Sequence, residues 1–310
     1  MNSQESVESR PGTSGDGFDR RYEYHSPDTL DKALQLRKEL GYHAMVIAGG
    51  TDVMVDYFEE LHKVEHWLDL NSIDELRRIS VSGEEIRIGS MATHRELATN
   101  PTINELLPLL SQSAAEVGSW QIRSRGTVGG NAVTASPAGD TLAPLMAHDA
   151  RFVAASTEGR REIKAEDFFT GPKQNSLRPS ELLTEIVLPR PETEKSRLCY
   201  WEKVGKRNAV IISSVTIAVE LKISEDGKIE KARPCYGAVA PTPVLIQSAA
   251  EFLQDKNLID VDESQAGELV AEEVSPIDDI RGTEEYRRQV SRDLTIRALR
   301  YFRREWEGDS

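Results

Sequence analysis

The chain has 310 residues, 38% hydrophobic and 29% charged, with a formal net charge of −14. That length accommodates two domains of ordinary size, and the composition describes a globular rather than a disordered protein. The acidity repels nucleic acid, and no apolar run approaches the ~20 residues that span a bilayer, so neither kind of partner is expected.

Residues 1–20 hold Ser, Gly, Pro and charged groups with one aromatic, Phe18. So little apolar area cannot offset ordering entropy, which predicts a flexible tail or, alternatively, an arm that orders on a partner. No basic start followed by an apolar core is present, so no signal peptide is read and the cytoplasm is the expected compartment. Ser26-Pro27 predicts a helix N-cap with proline at the first helical position, Leu30, Ala33, Leu34 and Leu36 follow at helical spacing, and Gly41 is the stop. Residues 45–48 read as a buried strand feeding a glycine-rich turn, Ala48-Gly49-Gly50-Thr51-Asp52, in which Thr51 or Asp52 caps the next segment. This entry has neither Gly-x-Gly-x-x-Gly nor a Walker lysine, so Rossmann and P-loop assignments fail.

Further on, residues 67–70 predict a strand, 74–77 a short helix or turn, and 77–81 with 85–88 a hairpin around Ser82-Gly83. Thr93 caps a helix through Leu97. Residues 104–117 predict one longer helix with Leu106, Leu107, Leu110, Ala114 and Val117 inward, although Pro108 sits in its first turns. That helix delivers the chain, through Trp120 and Gln121, to a second glycine-rich stretch. It runs Arg123-Ser-Arg-Gly126-Thr127-Val128-Gly129-Gly130-Asn131, with Ala135-Ser136-Pro137 and Asp140 behind it.

Glycine carries no Cβ, so a ligand can approach its backbone N–H groups closely, and successive N–H groups in such turns form anion-binding concavities. Either turn alone is equally a plain structural bend. Two of them suggest one elongated ligand with a diphosphate in its middle.

Beyond the second turn, residues 141–147 predict a helix, 151–156 a strand, 166–169 a short helix and 182–188 a strand ending at Pro189. The polar, proline-rich segment 189–195 reads as a domain boundary. Strands at 215–223, 229–233 and from Tyr236, joined by Glu225-Asp-Gly-Lys and closed by a proline-rich loop, indicate a smaller α+β domain. Residues 251–285 read as a strongly solvated acidic stretch. The last helix, 286–306, places Val290, Leu294, Ala298 and Phe302 four apart on one face. Its arginines face either the acidic stretch or an acidic partner, with an ordinary packed helix as the simpler reading. Two cysteines, Cys199 and Cys235, cannot hold an iron–sulfur cluster, which takes four thiolates, and are read as buried and reduced. His62 and His66 stand at i, i+4 without a third ligand, so no metal site is read.

The combination of 48–52 with Gln121-Ile-Arg-Ser-Arg-Gly-Thr-Val-Gly-Gly-Asn131, Ala135-Ser-Pro137 and Asp140 resembles the FAD-binding middle subunit of molybdenum hydroxylases. These are the xanthine dehydrogenase, carbon monoxide dehydrogenase and aldehyde oxidase relatives, and the resemblance spans residues 22–306. It implies an α+β chain with a PCMH-type FAD-binding domain over 21–190 and a C-terminal domain over 196–306. It further implies that the N–H groups of Gly49, Gly50, Thr51 and Asp52 meet one end of the FAD diphosphate, with Ala48 beside them at the cofactor. The N–H groups of Thr127, Val128, Gly129 and Gly130 would meet the diphosphate and ribityl region. Asn131 and Ser136 would offer polar contacts or stitch the loop to itself. Asp140 would accept from sugar hydroxyls or loop amides, or cap the following helix, and Leu183 would touch the ring system or pack in the core. Lys203 matches a lysine that approaches the isoalloxazine, where a cation raises the flavin potential.

The implied work is to pass electrons from [2Fe–2S] clusters of a small subunit, via FAD, to NAD+ or another acceptor. A large subunit would carry the molybdenum cofactor, and the assembly would be a dimer of heterotrimers. The four-cysteine insertion of the coenzyme A-reducing branch is absent. An acidic residue that follows the Lys-Arg pair in NAD-reducing relatives is replaced here by Asn208 in Lys206-Arg-Asn-Ala-Val-Ile-Ile212, which opens quinone, a carrier protein or oxygen as acceptor. Two other readings stay open, a stand-alone oxidase of the vanillyl-alcohol oxidase fold and a flavin-free scaffold. The first is disfavoured because neither glycine loop carries a histidine or cysteine to tether FAD.

Overall fold

The computed structural model describes residues 22–59, 65–191, 197–205 and 212–308. The expected N-terminal tail, His62 and the segment 206–211 lie outside these. Strand β1 (Glu23–His25) leads to helix α1 (Leu30–Leu40), which Thr29 caps by accepting the Lys32 N–H, so Ser26-Pro27 precedes the helix instead of opening it. Gly41 ends α1 at φ 52°, a conformation that favours glycine. Next come β2 (Ala44–Ile47), α2 (Val53–Phe58) and β3 (His66–Asp69); β1 and β2 pair in parallel on either side of β3. The first glycine turn therefore leaves the C-terminal end of a parallel strand, where side chains give way to exposed backbone.

The hairpin β4 (Ile79–Ser82) and β5 (Glu85–Gly89) is followed by six short helices: α3 (His94–Thr99), α4 (Pro101–Leu106), α5 (Pro108–Glu116), α6 (Trp120–Arg123), α7 (Val128–Thr134) and α8 (Leu142–Ala147). Thr93 and Glu96 close a full capping box on α3. The single helix expected over 104–117 is two. Pro101 and Pro108 each take a first helical position, and Pro108 drives Leu107 out of the helical region to φ −133°, ψ 59°.

Strands β6 (Arg151–Ser156) and β7 (Gly159–Lys164), helix α9 (Ala165–Phe168), the small hairpin β8 (Phe169–Gly171) with β9 (Gln174–Asn175), and β10 (Leu182–Pro189) complete this part. An antiparallel sheet runs in the order β4-β5-β10-β6-β7. Its inner face packs on the helices around Phe152, Phe168 and Phe169, with the first two stacked at 4.2 Å between centroids. A second apolar core joins Leu30, Ala33 and Leu34 of α1 to Leu68, Ile73 and Leu76.

The C-terminal part is an antiparallel sheet of β11 (Arg197–Val204), β12 (Val215–Ile223), β13 (Ile229–Gly237) and β14 (Val244–Leu245), covered by α10 (Gln247–Leu253), α11 (Glu263–Glu273) and α12 (Glu284–Glu307). β13 continues through Tyr236, so the strand that the sequence predicts from Tyr236 is the end of this one. Alternation along β12 sends Val215, Ile217, Val219, Leu221 and Ile223 into the core beneath the helices, while Ala218 packs on the other side with α8. All six residues of α8 are consequently buried. The acidic stretch holds a packed helix, α11, whose Ala266 and Val270 are buried. The arginines of α12 answer it within the chain, Arg292 to Glu268 at 2.6 Å and Arg300 and Arg303 to Glu263 at 2.7 Å each. Both cysteines are unpaired, and burial pushes each thiol up to about 12. The architecture is α+β, and among the described residues no helix is long and apolar enough to cross a membrane.

Candidate functional site

The two glycine turns meet backbone to backbone. A Cβ on Gly49 would overlap the Arg125 carbonyl and stand 2.9 Å from the Gly126 Cα, while a Cβ on Gly126 would lie 3.3 Å from the Thr51 hydroxyl. Glycine is needed at position 49 because another segment of chain fills the space, and position 126 is a tight fit. The turns form one side of a cleft of about 430 Å³, lined by 48–53 and by Thr127, Gly129, Gly130 and Asn131. Met45, Leu70, Met91, Leu182 and Leu183 supply apolar walls. A cleft of this size, mostly apolar with a few convergent polar groups, is what a cofactor site requires.

The two turns contribute differently. In the first, Gly50 adopts φ 78°, and no acceptor among the described residues stands opposite the N–H groups of Gly49, Gly50, Thr51 and Asp52. Four consecutive unpaired donors at the head of α2 make a concavity suited to an anion. In the second, three of the four expected donors are spent inside the protein, and only the Thr127 N–H is without an acceptor among the described residues. Val128 donates to the Ala92 carbonyl at 2.9 Å, Gly129 to the Ser90 carbonyl at 2.9 Å, and Gly130 to the Thr127 hydroxyl at 3.0 Å. This turn is the capped start of α7, sewn to residues 90–92, and the missing Gly129 side chain makes room for Ser90, whose Cβ and carbonyl would be 2.5 Å from a Cβ there. Thr127 keeps a hydroxyl hydrogen to donate, because its cap role uses only a lone pair.

Of the remaining residues expected at the site, Leu183 lines the cleft, as does Asn131, whose amide donates to the Thr141 hydroxyl at 2.6 Å. Asp52 accepts from the Thr134 hydroxyl at 3.1 Å, joining the first turn to α7. Four residues stand off the lining. Val128 is wholly buried in the main core. Ser136 begins the turn that its carbonyl closes with the Gly139 N–H at 2.9 Å. Asp140 and Lys203 form a buried ion pair at 2.7 Å; Asp140 also accepts from Ser213 at 2.6 Å, and Lys203 donates to the Glu116 carbonyl at 3.2 Å. Asp140 thus engages β11 and makes no cap for α8. Burial pushes its carboxyl up, against the pull of Lys203. The pair sits one residue from Thr141, and so acts behind the Asn131 side of the cleft.

Sequence reasoning passed over five charged or titratable residues in the wall, Arg37, Asp56, His94, Lys173 and Glu181. Arg37 spans the Gly41 and Ala44 carbonyls at 2.8 and 2.9 Å, and burial lowers its guanidinium below the ordinary range. His94, at the start of α3, is buried, and its Nδ1 has no hydrogen-bond partner. Burial, with the nearby Arg123 charge, brings its pKa to about 4, so the ring is neutral. Nothing local marks Arg37 or His94, since only the tertiary approach of α1 and α3 brings them to the cleft.

The profile of the FAD binding domain in molybdopterin dehydrogenase matches residues 20–191, and that of the CO dehydrogenase flavoprotein C-terminal domain matches residues 202–302. The chain is 31% identical over 236 residues to the nicotinate dehydrogenase FAD-subunit of Eubacterium barkeri, covering 75% of this chain and 79% of that one. It is 29% identical over 279 residues to the carbon monoxide dehydrogenase medium chain of Hydrogenophaga pseudoflava, covering 90% and 96%. A solved carbon monoxide dehydrogenase from Hydrogenophaga pseudoflava, lacking the Mo-pyranopterin moiety of its cofactor, superposes with a TM-score of 0.85 at 30% identity over 90% of this chain and 96% of that one. With two turns converging on one cleft and both parts of the chain matched, the chain belongs to the FAD-binding flavoprotein subunits of the molybdenum hydroxylases and is an oxidoreductase component of that family.

Proposed function

We propose that the cleft seats FAD with its diphosphate on the 49–52 N–H groups, and that the chain relays electrons inside a molybdenum hydroxylase complex. The observation that carries this reading is the row of four unpaired amides beside an apolar cleft. An overall charge of −14 would repel a diphosphate, so local groups have to hold it, and these amides are dipoles suited to that. Met45, Leu182 and Leu183 suit the flat ring systems, and the Thr127 hydroxyl supplies a further donor. Bound FAD supplies a centre that takes up electrons and passes them on, chemistry that no side chain here provides.

On this reading residues 21–190 bind the cofactor and 196–306 form the C-terminal domain. Asp140 and Lys203 tie the two together behind Asn131. The partners are a small subunit with [2Fe–2S] clusters and a large subunit with the molybdenum cofactor, assembled in the cytoplasm as paired trimers, and NAD+ or another carrier takes the electrons away. Relatives described as a medium chain or a FAD-subunit support the multisubunit part of this reading.

The test is purification of the chain with and without its neighbours. A yellow chain with one FAD released per polypeptide, together with co-purifying iron and molybdenum, is the expected result. A colourless, folded chain that rejects added FAD would leave only the scaffold reading, and a flavin-loaded chain that oxidises a small substrate unaided would favour the stand-alone oxidase.

A further inference from the structure

On the edge of the parallel sheet, outside the cleft lining, β1 and β3 gather a second set of chemistry-bearing side chains. Glu23 and His25 are two residues apart on β1 and share a face, and Glu23 lies opposite His66 of β3 in register. His25 Nε2 and His66 Nδ1 are 3.3 Å apart, and Glu23 Oε2 stands 3.5 Å from His66 Nδ1 and 3.8 Å from His25 Nε2. Donor atoms held at zinc–ligand distances of about 2.0–2.1 Å in a tetrahedral shell are about 3.4 Å from one another. The three atoms are therefore already spaced as one face of such a tetrahedron, and water can take the fourth corner from the solvent side. Side-chain exposures of 19% and 23% for the histidines leave a cation a way in.

We propose that Glu23, His25 and His66 form a site for zinc or a closely similar divalent transition metal, outside the cofactor cleft. Two imidazoles and one carboxylate are a donor set that selects such ions over calcium and magnesium, which take oxygen ligands. Bound metal ties the three-residue edge strand β1 to β3. That strand also steadies the first glycine turn. Tyr24, on its opposite face, donates to Asp69 at 2.5 Å; Asp69 accepts from the Asn71 amide at 2.6 Å, and the same amide holds the Ala48 carbonyl at 2.7 Å. The metal site thus supports the turn from behind.

The experiment is calorimetric titration of the full, tag-free chain with zinc chloride after chelator treatment and desalting, alongside His25→Gln, His66→Gln and His43→Gln. His43 is the control because it pairs with Glu65 next to the site at 3.2 Å. One saturable site per chain is expected, weakened more than about tenfold in His25→Gln and His66→Gln, since loss of even an outer partner costs that much, and unchanged in His43→Gln. Calcium should give no binding. The melting temperature should rise with zinc in the wild type and stay put in both ligand variants, whose melts in chelator report their folding. If His66→Gln does not fold, His25→Gln on the edge strand decides alone. Absence of saturable zinc binding by the wild type, full affinity in His25→Gln, or loss of binding in His43→Gln would each overturn the site.

Discussion

The carbonyl oxygen of Arg125 occupies the space that a side chain on Gly49 would need, so the first glycine turn is shaped as much by the second as by any ligand. Gly49→Ala must therefore push the turns apart. Overpacking of this kind costs about 1–3 kcal/mol or more, and the displaced amides lose their common direction. The expected outcome is a lower melting temperature together with loss of bound FAD. Gly50→Ala makes a useful contrast. Its Cβ would meet only the Met54 and Ile47 side chains at 3.5 and 3.6 Å, and the cost is the left-handed backbone at φ 78°, about 1–2 kcal/mol. Equal losses of flavin and stability in the two variants would show that Arg125 is not what constrains the turn.

Gly129→Val separates a ligand-approach role from a packing role. Reasoning from sequence, a β-branched side chain there blocks the approach of FAD to the backbone. The structure puts Ser90 in the way instead, 2.5 Å from a Cβ, so the substitution should dislodge α7 from residues 90–92. The melting temperature of the flavin-free chain is the measurement. It should fall well below that of the flavin-free wild type, whereas an unchanged melt with lost FAD binding would return Gly129 to the ligand.

Those two glycines also show what the sequence can disclose. A glycine pair directly after a short apolar run announces the first turn, whose amides have no acceptor among the described residues. The strands Arg151–Ser156 and Val215–Ile223 are legible to the residue, since apolar runs bounded by turn chemistry have few other solutions. The second turn looks the same on paper but is not. Its amides are claimed by Ser90 and Ala92, partners nearly forty residues upstream that no local pattern names. Lys203 and Asp140 are likewise visible as charges and invisible as a pair, because only the docking of β11 against the α7–α8 connection brings them together. Helix α11 is hidden by its own acids, which point outward to arginines on α12 while Ala266 and Val270 carry the packing.

The Asp140–Lys203 pair has side-chain exposures of 9% and 8%, so its two charges cannot be separated cheaply. Lys203→Ala leaves a buried carboxylate without its counter-ion, a change worth about 3–5 kcal/mol in comparable pairs. Replacing both partners, as Lys203→Met with Asp140→Leu, should recover most of that loss, because two apolar groups of similar volume carry no desolvation cost. A double-mutant cycle on thermal or denaturant unfolding measures the coupling. Additive losses would mean that the two side chains do not depend on one another. A Lys203→Ala variant as stable as the wild type but with a lowered flavin potential would place the ammonium at the cofactor.

His94 gives the site an acid limit with a definite sign. Burial and the Arg123 charge bring its pKa from 6.5 to about 4, so between these values the unfolded chain binds a proton that the folded chain refuses. Stability contributed by the neutral ring is complete above pH 6.5 and is lost progressively as pH falls toward 4. For a fully buried group, a displacement of this size corresponds to about 3 kcal/mol, an order-of-magnitude figure. His94→Gln removes the titrating ring. The wild-type minus variant difference in unfolding free energy should therefore decline between pH 6.5 and 4 and lie flat above 6.5, which cancels the carboxylates common to both proteins. Filling the cleft with FAD should change this limb as well, because the unpartnered Nδ1 stands in a residue that lines the cleft. A difference curve that is level across the whole window would mean that the ring is open to solvent in the folded chain, contrary to the burial seen here.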